Sequence, residues 1–89
     1  MVKIPNELTI SLENLIIELS NNGQSENASF FIDKLVKLKD INLSLKNKII
    51  IMEELSRCRA IAQYANFSYY EESILGDVIN MINSQLKAL

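Results

Sequence analysis

The chain has 89 residues, of which 48% are hydrophobic and 22% are charged, and its nine basic and eleven acidic side chains give a net charge of −2. A chain of this length has room for one core, so we expect residues 1–89 to form a single domain. The slightly acidic balance argues against nucleic acid as a partner.

Apolar runs in this chain are short. None approaches the roughly 20 residues that span a bilayer, and the segment 1–5 lacks the apolar centre of a signal peptide. We therefore expect a protein without a transmembrane segment. The lone cysteine, Cys58, has no partner for an internal disulfide, which fits a reducing compartment and predicts a cytoplasmic location.

Leucines recur at helical spacing in the first part of the chain. They follow i, i+4, i+7 and i+11: Leu8, Leu12, Leu15 and Leu19. This stripe predicts a helix over about 6–22, ended by the turn residue Gly23. Ile10 and Ile17 lie roughly 180° from the leucines on this helix, so something else is needed to cover them.

Two further helices are predicted in the middle of the chain. Ser25 is expected to cap a helix over about 25–40. Its inward stripe is Ala28, Phe31, Ile32, Leu35 and Leu38. Asn42 or Ser44 is expected to cap a third helix over about 43–65. The apolar residues of this third helix cover a wide arc, which predicts that it is the most enclosed of the helices.

A fourth helix is predicted over about 68–88. Ser68 and Glu71 have the S-x-x-E spacing of a capping box, and Phe67 before them is expected to plug the end of the core. The apolar stripe is Ile74, Leu75, Val78, Ile79, Ile82, Leu86 and Leu89. Gly76 lies outside this stripe, where either a neighbour approaches closely or the helix is weakened. Four helices with short connections predict an all-α, antiparallel four-helix bundle.

The residue types argue against catalysis. The chain has no histidine, which removes the usual general base and the commonest zinc ligand, and its two glycines cannot form a glycine-rich phosphate loop. The adjacent pairs Glu53-Glu54 and Glu71-Glu72 diverge by about 100° on a helix, so neither pair converges on one proton or metal ion. We predict no enzyme activity, catalytic residue, cofactor or metal. Cys58 is expected to pack as a small hydrophobe, with a redox or metal role as the alternative.

Tyrosine and arginine side chains mark a candidate recognition surface. Tyr69 and Tyr70 diverge by about 100° in the first turn of the fourth helix, so at least one of them should be exposed. Tyr64 and Arg57 lie outside the core stripe of the third helix, and Glu53 precedes Arg57 at i, i+4 spacing. The alternative for Glu53 and Arg57 is a surface ion pair that contributes little to stability.

The segment 66–75, Asn-Phe-Ser-Tyr-Tyr-Glu-Glu-Ser-Ile-Leu, resembles the start of the last bundle helix in immunity proteins of pediocin-like bacteriocins. In that family a Phe and a Ser or Thr cap precede an acidic, tyrosine-containing turn and an apolar run, and the helix lengths agree over most of the chain. This chain ends at Leu89, where that family continues into a longer tail. The resemblance therefore extends equally to small helical immunity proteins that cap a secreted toxin domain.

This resemblance implies a cytoplasmic protein that protects its producer by stoichiometric binding to a toxin, a bacteriocin or a toxin–receptor complex. The expected partner-binding residues are Glu53, Arg57, Tyr64, Tyr69, Tyr70, Glu71 and Glu72. The tyrosines and the arginine are expected to be anchors, and the glutamates rim charges. The alternative is a non-enzymatic regulatory or adaptor bundle, which includes a homodimer formed through Ile10 and Ile17.

Overall fold

The computed structural model describes residues 4–88, and the all-α class predicted from the sequence is confirmed. The helices are α1 (Asn6–Asn21), α2 (Ser25–Lys39), α3 (Leu45–Ser56), α4 (Ala60–Tyr64) and α5 (Tyr69–Lys87). No β-strand occurs within residues 4–88. Two parts of the sequence analysis concern residues outside this range. They are Leu89, which was assigned to the last apolar stripe, and residues 1–3, which belong to the segment considered for a signal peptide.

The core lies between α1, α2, α3 and α5. Helix α1 packs against α2 and α5, and α3 packs against α5 and α2. The predicted leucine stripe of α1 is confirmed, because its four members are fully buried: Leu8, Leu12, Leu15 and Leu19. Helix α5 supplies the opposing apolar face: Ile74, Leu75, Val78, Ile79 and Ile82.

The turn between α1 and α2 is built on a glycine in the left-handed region. Gly23 has φ +76°, and the Gln24 N–H donates to the Leu19 carbonyl oxygen at 2.9 Å, as in a Schellman motif. Helix α2 then begins directly at Ser25, with Gln24 in the N-cap position and no side-chain cap hydrogen bond. The prediction that Ser25 caps this helix is therefore wrong by one residue.

One residue predicted in the α2 core is exposed, and a lysine is buried instead. Ile32 is 43% exposed, whereas Lys34 is 8% exposed. Lys34 shares a helix face with Phe31 and Leu38, at i+3 and i−4 spacing, and α3 covers that face. Its Nζ lies 3.2 Å from Glu54 Oε2 on α3, which offsets the cost of burying the charge.

The third predicted helix is divided in two. The Ser56 hydroxyl donates to the Glu53 carbonyl oxygen at 2.7 Å, which is the acceptor that the Arg57 N–H would use in a continuous α-helix. The Arg57 N–H instead donates to the Glu54 carbonyl oxygen at 3.2 Å. Because the hydrogen bonds tighten here from i−4 to i−3, the prediction of one helix over 43–65 is wrong. Helix α3 ends at Ser56, and α4 begins at Ala60.

Helix α3 is also less enclosed than predicted. It buries Ile51, Met52 and Leu55, while Leu45 and Ile50 are 44% and 45% exposed. Its N-terminal cap is confirmed as Ser44, whose hydroxyl accepts from the Asn47 N–H at 3.2 Å. Fewer of its apolar residues therefore reach the core than the sequence predicted.

Candidate functional site

The α4–α5 corner, residues 59–73, contains most of the predicted site. Asn66 has φ 54° and ends α4, and the Phe67 N–H donates to the Ala62 carbonyl oxygen at 3.0 Å. Asparagine tolerates this left-handed conformation better than most residues, so it replaces the usual glycine. Phe67 is buried, which confirms it as the plug at the end of the core.

A reciprocal cap starts α5. The Glu71 N–H donates to the Ser68 hydroxyl oxygen at 3.1 Å, and the Ser68 N–H donates to Glu71 Oε1 at 2.7 Å. The predicted capping box is therefore confirmed. Because this cap anchors the backbone of the first turn, it also determines where Tyr69 and Tyr70 leave the helix.

Glu71 differs from its predicted role as a rim charge. Its side chain is buried, and Oε2 accepts from Asn22 Nδ2 at 3.0 Å. Both carboxylate oxygens are thus occupied inside the protein, one by the cap and one by the α1–α2 turn. The assignment of Glu71 to the partner-binding surface is wrong, because the capping geometry turns the carboxylate inward.

All three tyrosines are exposed around this corner. Tyr64 at the end of α4 is 91% exposed, and Tyr69 and Tyr70 at the start of α5 are 88% and 59% exposed. The prediction that at least one of Tyr69 and Tyr70 is exposed is confirmed. None of the three side chains forms a hydrogen bond or ring contact with another residue in the described range 4–88. Folding alone therefore does not account for these rings.

A groove runs between α4 and α5 beside Tyr69. It is formed by two adjoining depressions, one lined by Arg59, Tyr69, Glu72 and Ser73 and the other by Arg59, Ala62, Gln63, Glu72 and Leu75. The second has a volume of about 190 Å³. Within residues 4–88 neither Arg59 nor Glu72 forms an ion pair, so each charge remains available to a partner.

Arg59 was missed in the sequence analysis, although a signal was present. It precedes Ala62 and Gln63 by three and four residues, the spacing that places side chains on one helix face. The prediction of one continuous helix over 43–65 placed Arg57 on the outer face and left Arg59 unassigned. The structure places Glu72 in the groove together with Arg59 and Tyr69.

Glu53 and Arg57 lie apart from this groove on α3 and its C-cap. Arg57 Nη2 is 3.7 Å from Glu53 Oε2, with the two side chains 77% and 45% exposed. An exposed pair of this kind contributes about 0 to 0.5 kcal/mol. The break at 57–59 leaves Glu53 on α3, Arg57 at its C-cap and Tyr64 on α4, so the three residues do not lie on one continuous helix.

Cys58 is buried beside the break. Burial raises the pKa of its thiol from 9.0 to about 11, against smaller lowering effects from a backbone hydrogen bond and from Arg59. The thiol is therefore protonated at neutral pH, which favours packing over reactivity. In the part of the chain that the structure describes, no group of three or more potential metal ligands comes together. Over the same residues, no helix has the length and apolarity needed to cross a membrane.

Comparisons of the chain with protein-family models, curated proteins and solved structures find no match. The α4–α5 corner has the features expected of a binding surface, because it combines exposed rings with two unpaired charges of opposite sign.

Proposed function

We propose that this chain is a non-catalytic immunity protein that protects the producing bacterium by stoichiometric binding of a cognate toxin or bacteriocin. Binding is either direct or to a complex of the toxin with its receptor. The observation that supports this proposal is the exposure of all three tyrosines around the α4–α5 corner without a hydrogen-bond or ring partner in residues 4–88. The resemblance of segment 66–75 to bacteriocin immunity proteins supplies the biological setting.

The proposed architecture is an antiparallel four-helix bundle with α4 as an added corner. It is supported by the packing of each long helix on two others, α1 on α2 and α5, and α3 on α5 and α2. The short connections between consecutive helices favour antiparallel neighbours. The proposed location is the cytoplasm, where a single buried thiol stays reduced.

Tyrosine suits a recognition surface for a physical reason. Its ring provides a large contact area, loses little side-chain entropy on binding and leaves a hydroxyl for a hydrogen bond. The proposed anchors are Tyr64, Tyr69, Tyr70 and Arg57. Glu53 and Glu72 are the proposed rim charges, which raise the rate of association with a basic toxin more than they raise affinity.

The groove adds a charge pattern to this surface. Arg59 and Glu72 line it together and are unpaired within residues 4–88. A partner segment with an acidic residue opposite Arg59 and a basic residue opposite Glu72 would form an ion pair with each of these two side chains. A pattern of this kind contributes to the choice between cognate and non-cognate partners.

Co-expression with the product of the neighbouring reading frame tests the proposal. Cells carrying the wild-type chain should survive, whereas a Tyr64→Ala/Tyr69→Ala/Tyr70→Ala variant should fail to protect them. Ile41→Ala is the matched control, because Ile41 is 91% exposed but lies in the α2–α3 loop. Circular dichroism and urea unfolding should show all three proteins equally folded, since exposed side chains contribute little to stability.

Two outcomes would overturn the immunity proposal. In one, the neighbouring frame encodes nothing toxic, or its toxin kills cells that express the wild-type chain. In the other, the triple tyrosine variant protects as well as the wild type, which would remove the α4–α5 corner from the binding surface.

A regulatory or adaptor protein is the second candidate. It is favoured by Ile10 and Ile17, which are 55% and 57% exposed on α1, away from the α4–α5 corner. Exposed aliphatic side chains mark an interface when they form a contiguous patch, and the i, i+7 spacing of Ile10 and Ile17 places both on one face of α1. An adaptor should purify with a protein partner when no toxin is present, whereas a dedicated immunity protein should not.

A further inference from the structure

The α1–α2 turn contains the only Asn-Gly pair of the chain, Asn22-Gly23. Asparagine followed by glycine is especially prone to deamidation, because glycine has no side chain to hinder attack by its own backbone nitrogen. Both residues are exposed, so water reaches the turn. The side chain of Asn22 also forms the contact with Glu71. A reaction that changes this side chain therefore changes a tertiary contact.

The reaction is intramolecular and consumes only water. The Gly23 nitrogen bonds to the side-chain carbonyl carbon of Asn22, and the bond from that carbon to Nδ2 breaks. The Gly23 nitrogen gives up its proton, and Nδ2 leaves as ammonia. Water then opens the resulting succinimide ring at one of its two carbonyl carbons. The products are aspartate and isoaspartate at position 22, each with a carboxylate in place of the amide.

The folded chain keeps the reacting atoms apart. Asn22 has ψ 15°, which places the Gly23 nitrogen beside the backbone nitrogen of Asn22 and away from its Cβ atom. Ring closure needs the Gly23 nitrogen on the side of Cβ. The Gly23 N–H is also engaged, since it donates to the Ser20 carbonyl oxygen at 3.4 Å. The turn must therefore open before the ring can close.

The Glu71 carboxylate holds the leaving group. Asn22 Nδ2 donates to Glu71 Oε2 at 3.0 Å, and the other carboxylate oxygen accepts from the Ser68 N–H at 2.7 Å. Because Glu71 is buried and tied to the cap of α5, it keeps the Asn22 side chain in one position. Opening of the turn has to break this charge-assisted hydrogen bond. The contact with α5 thus slows a reaction within the α1–α2 turn.

The product cannot replace this contact. Its carboxylate faces the buried carboxylate of Glu71, so two like charges repel and neither group has a proton to donate. Isoaspartate also lengthens the backbone by one atom in the turn, where the Gln24 N–H donates to the Leu19 carbonyl oxygen. We propose that Asn22 is a deamidation site that Glu71 protects, and that its conversion releases the α1–α2 turn from the first turn of α5.

This inference goes beyond the proposed immunity function and does not depend on it. The reaction needs no partner and proceeds in the isolated chain. The first turn of α5 carries Tyr69 and Tyr70, so a molecule that has deamidated loses a contact that fixes this turn. Because deamidation is irreversible, it limits how long each molecule keeps the α4–α5 corner in its original form.

Peptide mapping by mass spectrometry follows the conversion, because the change from amide to acid raises the mass. The folded wild type should convert about tenfold or more slower than the same chain unfolded in urea. Glu71→Ala should convert about fivefold faster than the folded wild type, which is the effect of losing one hydrogen bond on an opening equilibrium. The matched control is Glu54→Ala, which removes the same type of side chain from a contact with Lys34 and should convert like the wild type.

A milder variant covers the case in which Glu71→Ala fails to fold. Glu71→Gln retains an oxygen that accepts from the Ser68 N–H, and it should convert faster than the wild type by a smaller factor, because a neutral acceptor binds the Asn22 amide less strongly. Conversion of the folded wild type as fast as in urea would overturn the proposal. So would a folded Glu71 variant that converts no faster than the wild type, or a Glu54→Ala variant that converts as fast as Glu71→Ala.

Urea unfolding of Asn22→Asp tests the release of the turn, because this variant is one of the two products. It should unfold at a lower urea concentration than Asn21→Asp. That control makes the same charge change at the same helix end, where the Asn21 side chain forms no hydrogen bond within residues 4–88. Asn22→Asp/Glu71→Gln should regain part of the loss, since the glutamine amide can donate to the new carboxylate. Equal midpoints for Asn22→Asp and Asn21→Asp would overturn this part of the proposal.

Discussion

The side-chain amide of Asn22 donates a hydrogen bond of 3.0 Å to the carboxylate of Glu71, across 49 positions of sequence. This bond joins the turn after α1 to the first turn of α5. The same carboxylate also accepts from the Ser68 N–H at 2.7 Å, so one side chain completes a helix cap and a tertiary contact. Tyr69 and Tyr70 emerge from the turn that Glu71 holds in place.

We expect Glu71→Ala to lower the free energy of unfolding by about 2 kcal/mol, since it removes the carboxylate half of the capping box and the hydrogen bond from Asn22. Asn22→Ala should cost about 1 kcal/mol, because only one hydrogen bond is lost. Glu71→Gln should fall between the two, since its amide oxygen can still accept from the Ser68 N–H. Urea unfolding of each variant measures these differences.

A double-mutant cycle separates the contact from the cap. The costs of Asn22→Ala and Glu71→Ala should sum to more than the cost of the double variant, because the shared hydrogen bond is lost only once. Strict additivity of the two costs would mean that the Asn22–Glu71 bond contributes nothing to stability.

Gly76→Ala should stabilise the protein by about 1 kcal/mol. Gly76 lies inside α5, and a Cβ atom built there meets nothing within 4 Å, so alanine gains helix propensity without a clash. Of the two alternatives left open at Gly76, a close neighbour is excluded and a weakened helix remains. Thermal unfolding should show a midpoint about 4–8 °C higher.

Gly23→Ala is the matched control for the Gly76 substitution. Space is also open at Gly23, but its φ of +76° strains any residue with a Cβ atom. This variant should be destabilised by about 1 kcal/mol. Equal effects of the two glycine substitutions would contradict the conformational explanation.

Cys58 should react with a thiol reagent only after the protein unfolds, because its side chain is buried. Its pKa is about 11 in the folded protein against an ordinary value of 9.0, so stability from the protonated thiol is complete below pH 9 and is lost as the pH rises to 11. Urea unfolding at several pH values should show this loss. In Cys58→Ala the free energy of unfolding should fall less steeply with pH, since the remaining titrating groups are common to both proteins.

Lys34→Met should change the free energy of unfolding by less than about 1 kcal/mol, because methionine fills the same space and removes a buried charge. Glu54→Ala should cost about 1–2 kcal/mol, since it leaves Lys34 Nζ buried without its carboxylate. The Lys34 ammonium also lies 5.1 Å from the centre of the Phe30 ring, which retains part of its stabilisation.

The Lys34→Met/Glu54→Ala double variant provides the internal check. It should be more stable than Glu54→Ala alone, because the unpaired charge is gone. If Lys34→Met lowers the free energy of unfolding more than Glu54→Ala does, the attraction between Lys34 and Glu54 exceeds the cost of removing the lysine charge from water. Thermal and urea unfolding of the same four proteins would decide between these results.

Several features could be predicted because neighbouring residues decide them. The leucine stripe of α1, the cap of α3 (narrowed to Asn42 or Ser44) and the reciprocal cap of Ser68 and Glu71 depend on groups within a few positions of one another. The exposure of Ile32 and the burial of Lys34 could not be predicted in this way. It depends on which side of α2 is covered by α3, and no local pattern encodes that side.

The break after Ser56 is a second feature that the spacing of apolar residues does not predict. The apolar residues on both sides keep helical spacing, so periodicity alone continues the helix to residue 65. The Ser56 hydroxyl donates to the Glu53 carbonyl oxygen at the point where the backbone hydrogen bonds tighten and α3 ends. The consequence for the candidate site is that Glu53 and Tyr64 lie on different helices, while Arg59 lines the α4–α5 groove together with Glu72.

The amino-acid sequence by itself determined the all-α class, the helix cap at Ser68 and the exposure of at least one residue of the Tyr69-Tyr70 pair, and it narrowed the cap of α3 to Asn42 or Ser44. These follow from interactions between residues no more than about four positions apart. Only the tertiary structure decided that Glu71 is buried, because its second carboxylate oxygen is used by Asn22 from the distant α1–α2 turn. It also decided that Ile32 is exposed and that Glu13 pairs with Lys39, since both depend on how α1 and α2 lie against each other and no local pattern specifies that arrangement.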